Sequence, residues 1–298
     1  MSGQPIVDPG TFWPGARLAA GFCLEAAKLL TDMLDEDLTP TVIVLGVLSA
    51  NVAAHDRAVS GPNGAATPFD AINRDPVSVY RLARNLDLPY ETARRHVGRL
   101  VKKGVCTRFG HGLVLSAPVL LGPPSVLCAQ EVWRLATQFQ IDLGALGLDV
   151  PAPDPAADVN EQRRVGRMAN EFFLAGMRLV VEATHSDLVT ALTFLAVYCA
   201  NRPVPEDAPH RLRADAELTA VSVYALSRQM RLPYETVRRH VGILLGENLC
   251  RKAEGGGLIV SADVLVSPAL IAASLQAKAL TIEFLTAAFG PVAIRSVA

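Results

Sequence analysis

The sequence predicts a mainly α-helical chain with small β-hairpins, built as two tandem copies of one unit. Three observations carry that expectation. Residues 77–106, VSVYRLARNLDLPYETARRHVGRLVKKGVC, return 144 positions later as VSVYALSRQMRLPYETVRRHVGILLGENLC, with 18 identities in 30 positions and no gap. Apolar residues ahead of each copy recur at helical spacing, and each copy ends in two short runs of strand formers around a glycine turn. A length of 298 residues suits about two domains, and with half the residues hydrophobic each half can bury a core.

Taken in order, residues 16 to 35 are strongly helical, with Phe22, Ala26, Leu29, Leu30 and Met33 near one stripe. A second helix runs from 40 to 54. The second half answers with helices over 162–183 and 187–200. Leu45 and Leu195, Val47 and Val197, and Asn51 and Asn201 all stand 150 apart, so the duplicated unit includes a preceding helical pair. The apolar runs 39–54 and 188–200 are too short to span a membrane and read as helices buried on all sides. Between 54 and 75, Gly, Pro, Asn and Asp mark a loop that is six residues longer than its counterpart, which changes the offset from 150 to 144.

Within the first copy, Val79, Leu82, Ala83 and Leu86 define a short helix, with Asp75 and Pro76 as its expected cap and first-turn proline. It stops near Asp87, because the residue before Pro89 is pushed out of the helical region. A second helix is expected over 89–103, where Glu91 suits the positive end of the helix dipole. Ala93, Val97, Leu100 and Val101 face its core. The opposite side carries Tyr90, Thr92, Arg94, Arg95, Arg99, Lys102 and Lys103, and from Glu91 through Arg108 there are six basic side chains against one acidic. Arginine is informative here, since its planar fork grips a phosphate or takes the O6 and N7 of guanine together.

In the second copy the corresponding helix, 233–246, carries Tyr234, Thr236, Arg238 and Arg239, with Arg251 and Lys252 beyond it. Here four basic residues stand against two acidic ones, since Arg99 becomes Ile243, Lys102 becomes Gly246 and Lys103 becomes Glu247. On charge alone the first copy is expected to bind an anionic partner more tightly. Each basic helix precedes a hairpin, 105–116 around Gly110-His111-Gly112 and 249–261 around Gly255-Gly256-Gly257.

Helix, turn, basic helix and hairpin in that order resemble the winged helix-turn-helix of bacterial transcription regulators, over residues 76–120 and 219–265. The resemblance implies a cytoplasmic, nucleoid-associated regulator that binds double-stranded DNA sequence-specifically through two recognition helices. The implied DNA-facing set is Tyr90, Thr92, Arg94, Arg95, Arg99, Lys102, Lys103 and Arg108, with Tyr234, Thr236, Arg238, Arg239, Arg251 and Lys252. Because both helices lie on one polypeptide, one chain is expected to act as a pseudo-dimer on half-sites separated by about 34 Å, one duplex turn. Winged helices also serve as protein-contact modules, so a scaffold mediating protein–protein interaction is the alternative.

The halves are expected at 1–149 and 161–298, joined by the proline-rich linker 150–160. A helix over 125–143 holds Trp133 and Phe139. The long apolar helix 268–289 reads either as a core helix joining the halves or as a homodimer contact. Gly98 and Gly242 sit mid-helix, where glycine costs about 1 kcal/mol relative to alanine. Packing against the preceding helix is expected there, with close approach of a DNA backbone as the alternative. Tyr80 and Tyr224 are expected to pack, and His96 and His240 to bridge core and surface. Five cysteines without a C-x-x-C pair argue against a zinc site or a disulfide framework, and Cys106 and Cys250 read as small buried apolar residues. The N-terminus lacks the basic start and apolar run of a signal peptide, and no membrane partner is expected. No phosphate loop, nucleophile elbow or H-E-x-x-H occurs, so neither an enzyme nor a cofactor is expected. With a net charge of −1, any nucleic-acid contact must come from local clusters.

Overall fold

The computed structural model describes residues 13–59, 75–201 and 215–294. The N-terminal stretch and most of both expected loops, 60–74 and 202–214, lie outside the described residues. The chain is mainly helical, with small two-stranded antiparallel sheets. In the first half α1 (Ala16–Leu34) and α2 (Leu38–Val59) lead to α3 (Val79–Asn85) and α4 (Tyr90–Lys102). Then come β1 (Cys106–Phe109), β2 (Gly112–Leu115), α5 (Ala117–Leu121), α6 (Pro123–Gly144) and β3 (Leu148–Asp149). The second half repeats the order as α7 (Val159–Thr184), α8 (Leu188–Ala200), α9 (Val223–Met230), α10 (Tyr234–Gly246), β4 (Arg251–Lys252) and β5 (Leu258–Ile259). It closes with α11 (Ala262–Leu265), α12 (Pro268–Phe289) and β6 (Ala293–Ile294).

The repeat is longer than its sequence identity suggests. Helices α1, α6, α7 and α12 form a central hub around four phenylalanines, in which Phe22 stacks on Phe139 at 5.0 Å and Phe172 on Phe284 at 5.2 Å. Phe172 stands 150 residues after Phe22, and α12 follows its hairpin as α6 follows the first. The long C-terminal helix is therefore the core helix of the second half, with Leu270, Ile271, Phe284 and Leu285 buried. Among the described residues, α12 alone is a single helix long and apolar enough to cross a membrane.

Residues 150–160 do not separate two independent bodies. One hydrophobic core runs through both halves, Val150 belongs to it, and β3 pairs with β6 near the end of the chain. Aromatic packing across the hub accounts for this, since neither half could cover its own phenylalanines alone.

Each helix–hairpin unit is fastened by the same device. Asn51, at 0 % exposure, donates from Nδ2 to the carbonyls of Asp75 (2.7 Å) and Leu113 (3.2 Å) and accepts from the amide of Leu115 (2.9 Å). Asn201 does likewise with Thr219, Leu258 and Val260 at 2.8, 3.0 and 2.8 Å. A buried amide that spends donors and acceptor on backbone ties the end of one helix to the edge of the hairpin. Val77 and Val221 add a third, single-residue bridge to each sheet, at Leu113 and Leu258.

That bridge corrects the expected start of α3. Val77 is held in the sheet, so the helix cannot begin at Pro76, and Ser78 is the cap, its side chain accepting from the Arg81 amide at 3.2 Å. Pro89 likewise caps α4 instead of opening it. The corner between the helices turns through left-handed residues at the same place in both units, Asp87 (φ 49°) and Arg231 (φ 51°).

Candidate nucleic-acid interface

On α4, Ala93, Val97 and Leu100 are buried, which turns the rest of the helix outward. On α10 the buried set is Val237, His240, Val241 and Leu244. The 18 positions identical in the two copies then divide cleanly. Val77, Leu82, Val97, Leu100 and Cys106 are buried and explained by packing. Tyr80, Arg84, Tyr90, Glu91, Arg94, Arg95 and Gly98 are exposed, as are Tyr224, Arg228, Tyr234, Glu235, Arg238, Arg239 and Gly242.

Both glycines overturn the packing expectation. A Cβ placed on Gly98 or Gly242 meets no atom within 4 Å, so nothing inside the chain demands a glycine there. Tyr80 and Tyr224 were expected to pack and instead stand 69 % and 66 % exposed, because the buried stripe of the short preceding helix runs through Leu82 and Ala83, or Leu226 and Ser227. Tyr90 and Tyr234, at the N-terminal ends of α4 and α10, are about half exposed, and Thr92 and Thr236 are partly covered.

The arginines fall into distinct environments. Arg94 pairs with Glu91 at 2.7 Å and Arg238 with Glu235 at 2.8 Å, one helical turn back in both copies. Arg95 has no acidic partner among the described residues, and Arg239 donates to Nε2 of His240 at 3.2 Å. Arg99 and Lys103 are turned away from the outer face toward the α1–α2 corner. The Glu36 carboxylate, whose side chain is 1 % exposed, accepts from Arg99 at 2.5 Å and pairs with Lys103 at 2.7 Å, while Asp37 stands 3.8 Å from Arg99. Lys102 and Arg108 remain exposed. In the second unit Arg251 pairs with Asp215, and Lys252 is exposed.

The unequal charge counts thus shrink when partners are included. Cations of the expected set without an acidic partner among the described residues are Arg95, Lys102 and Arg108 in the first unit, against Arg239 and Lys252 in the second. Sequence reasoning placed Arg99 and Lys103 on the outer face because helical periodicity carries no information about a carboxylate 63 residues away. It also passed over Arg84 and Arg228, and Phe109, 66 % exposed at the tip of the first hairpin, where the second copy has Ala253.

The histidines behave as bridges. His240 is buried, its Nδ1 2.7 Å from the hydroxyl of Thr190, which donates in turn to Asp187 at 3.0 Å. Burial lowers the pKa of both His96 and His240, against a smaller opposing pull from Asp187 on His240 and from Asp37 and Glu36 on His96. Cys106 and Cys250 are buried thiols pushed up to about 11, which keeps them protonated and inert at neutral pH. Among the described residues no group of three His, Cys, Asp or Glu side chains is placed to hold a metal.

No family model matches the chain, and comparison with curated proteins and with solved structures finds no similar chain. The duplication within the sequence is therefore what allows residues to be compared.

Proposed function

We propose that the two units are winged helix-turn-helix modules and that the chain is a transcription regulator binding double-stranded DNA through α4 and α10. The observation that carries this reading is the outward glycine retained in both copies, with the shared Tyr, Arg and Arg of YETxRRHVG beside it. An exposed mid-helix glycine with open space around it sacrifices about 1 kcal/mol of helix stability for nothing inside the molecule. An external surface that must come close to the helix backbone gives it a purpose, and flanking guanidiniums fit a phosphate backbone with base edges beneath it. In this reading Arg95, Lys102, Arg108, Arg239 and Lys252 are the cations available to DNA. Glu91 and Glu235 hold Arg94 and Arg238 in position, and Arg99, Lys103 and Arg251 serve the fold first. One chain would address two related but unequal half-sites, acting in the cytoplasm on the nucleoid; a homodimer would double that footprint.

The test separates fold from binding. Gly98→Ala with Gly242→Ala should raise the melting temperature, because each change adds helix propensity without a clash. The same variant should shift random duplex DNA at low salt about tenfold more weakly than the parent, as a loss of roughly 1.4 kcal/mol requires. A parent chain that shifts no duplex DNA at low salt would turn the reading to a protein-binding scaffold, with Tyr80, Tyr90, Tyr224 and Tyr234 as its contact residues.

A further inference from the structure

The duplicated architecture creates the same cleft twice, between the hub and each helix–hairpin unit, and the two clefts differ in chemistry. The first lies among α1, α2, α5, α6 and α7 and encloses about 880 Å³ including its mouth. Its body is apolar, with Leu48, Val119 and Val132 among its walls, but one side is a polar stripe of α7: Arg163, Arg167 and Asn170. The second, of about 660 Å³, has no charged residue in its lining. Positions 150 residues earlier explain the contrast, since Arg163 corresponds to Trp13, Arg167 to Arg17 and Asn170 to Ala20. Arg17 is committed elsewhere: it donates to the carbonyls of Tyr198 and Asn201, its guanidinium 4.3 Å above the Tyr198 ring.

Two features of the first cleft point to a ligand. Arg167 is 9 % exposed, so a full positive charge is brought to the wall of an apolar space. Asn170 is 6 % exposed and donates from Nδ2 to the Leu45 carbonyl at 3.2 Å, while its buried Oδ1 has no partner. A buried acceptor left without a donor costs about 1 to 3 kcal/mol, which a bound N–H or O–H would recover. An apolar space of this size with a few convergent polar groups is what a small-molecule site requires.

We propose that this cleft binds a small organic acid whose carboxylate pairs with Arg163 and Arg167, whose apolar body fills the cleft, and whose single N–H or O–H donates to Asn170 Oδ1. The walls that would grip it come from the hub on one side and from α2, α5 and the end of β2 on the other. Occupancy therefore fixes the first helix–hairpin unit against the hub. An effect on DNA binding rests on the function proposed above, whereas ligand binding does not.

Calorimetry on the full chain, without DNA, tests the site and leaves the DNA reading untouched if it fails. The probes are indole-3-acetate and 4-hydroxyphenylacetate, with tryptophol as the uncharged counterpart of the first. One acid should bind at one molecule per chain, and tryptophol at least about tenfold more weakly, as loss of a charge-assisted hydrogen bond implies. Gly166→Leu grows a side chain into the cleft from a position where a Cβ meets nothing within 4 Å, and should abolish binding while the variant melts cooperatively. Arg163→Gln should weaken the acid and leave tryptophol unchanged. Failure of both acids to bind at millimolar concentration, equal binding of tryptophol, or binding undiminished in Gly166→Leu would overturn the proposal.

Discussion

The two helix–hairpin units share a core and a buried asparagine, yet they differ where the basic helix meets the corner ahead of α2 or α8. In the first unit Glu36 is buried beneath Arg99 and Lys103. In the second all three partners have changed together, to Ser186, Ile243 and Glu247. A buried carboxylate stripped of its cations is costly, so the three positions can only change as a set. The difference teaches that a cationic count along a helix mixes charges for a partner with charges for the fold. The surrounding cores differ as well: the second unit is continuous with the hub, whereas the first encloses a cluster of its own around Val47, Leu82, Val97, Leu100 and Leu113.

The sharpest way to break this comparison is to transplant the second unit's residues into the first. Arg99→Ile with Lys103→Glu, made while Glu36 is kept, should destabilise the chain by about 3 kcal/mol, since a buried carboxylate then faces an apolar residue and a second acid. Adding Glu36→Ser should restore most of the loss, which a double-mutant analysis of denaturant midpoints would read as strong coupling. Additive effects would show that Glu36 does not hold the two cations.

How much of this was legible in the sequence depends on the range of the signal. The repeat, the helix boundaries and the hairpins are local, and periodicity with glycine turns found them to within a few residues. The helical pairs were legible through constant spacing, as at Asn51 and Asn201, although nothing in the chain announced that these amides fasten the hairpins. Phe22, Phe139, Phe172 and Phe284 were each visible as core residues, but their meeting in one hub is a long-range fact that periodicity cannot carry. The same holds at the candidate interface: the outward position of Arg94, Arg95, Arg238 and Arg239 follows from helical spacing, and the capture of Arg99 by a residue on another helix does not. Tyr80 was misplaced because a seven-residue helix offers too few turns to fix its buried stripe.

The next effect concerns binding. With only Arg95, Lys102 and Arg108 against Arg239 and Lys252 unpaired, the units should be closer in DNA affinity than charge counts suggest. Arg94→Ala with Arg95→Ala, and Arg238→Ala with Arg239→Ala, should each weaken duplex binding about tenfold or more, and each should flatten the dependence on salt. The first pair should have the larger effect, but by less than about tenfold, or roughly 1.4 kcal/mol. A loss confined to one pair in titrations at several salt concentrations would show that the other unit does not engage DNA.

The smallest expected effect separates the units by pH. His240 is buried and held neutral, with Nδ1 toward Thr190 and Nε2 accepting from Arg239, so protonation removes an acceptor and sets a second positive charge beside the guanidinium. Its folded-state pKa lies below the ordinary histidine value, chiefly because burial disfavours the charged ring. The unfolded chain therefore takes up the proton first as pH falls. The stability this histidine contributes is complete above about pH 6.5 and is lost as pH drops through the lower, folded value. Asp187, 3.7 Å from Nδ1, opposes the shift and keeps the loss small. His96 shares the direction of the shift but has no threonine beneath it, because Pro40 stands 150 residues before Thr190. Melting temperatures between pH 7.5 and 5 should fall less steeply in His240→Gln than in the parent. If the two curves run parallel, the imidazole is not what links the second unit to pH, and the contrast with His96 loses its basis.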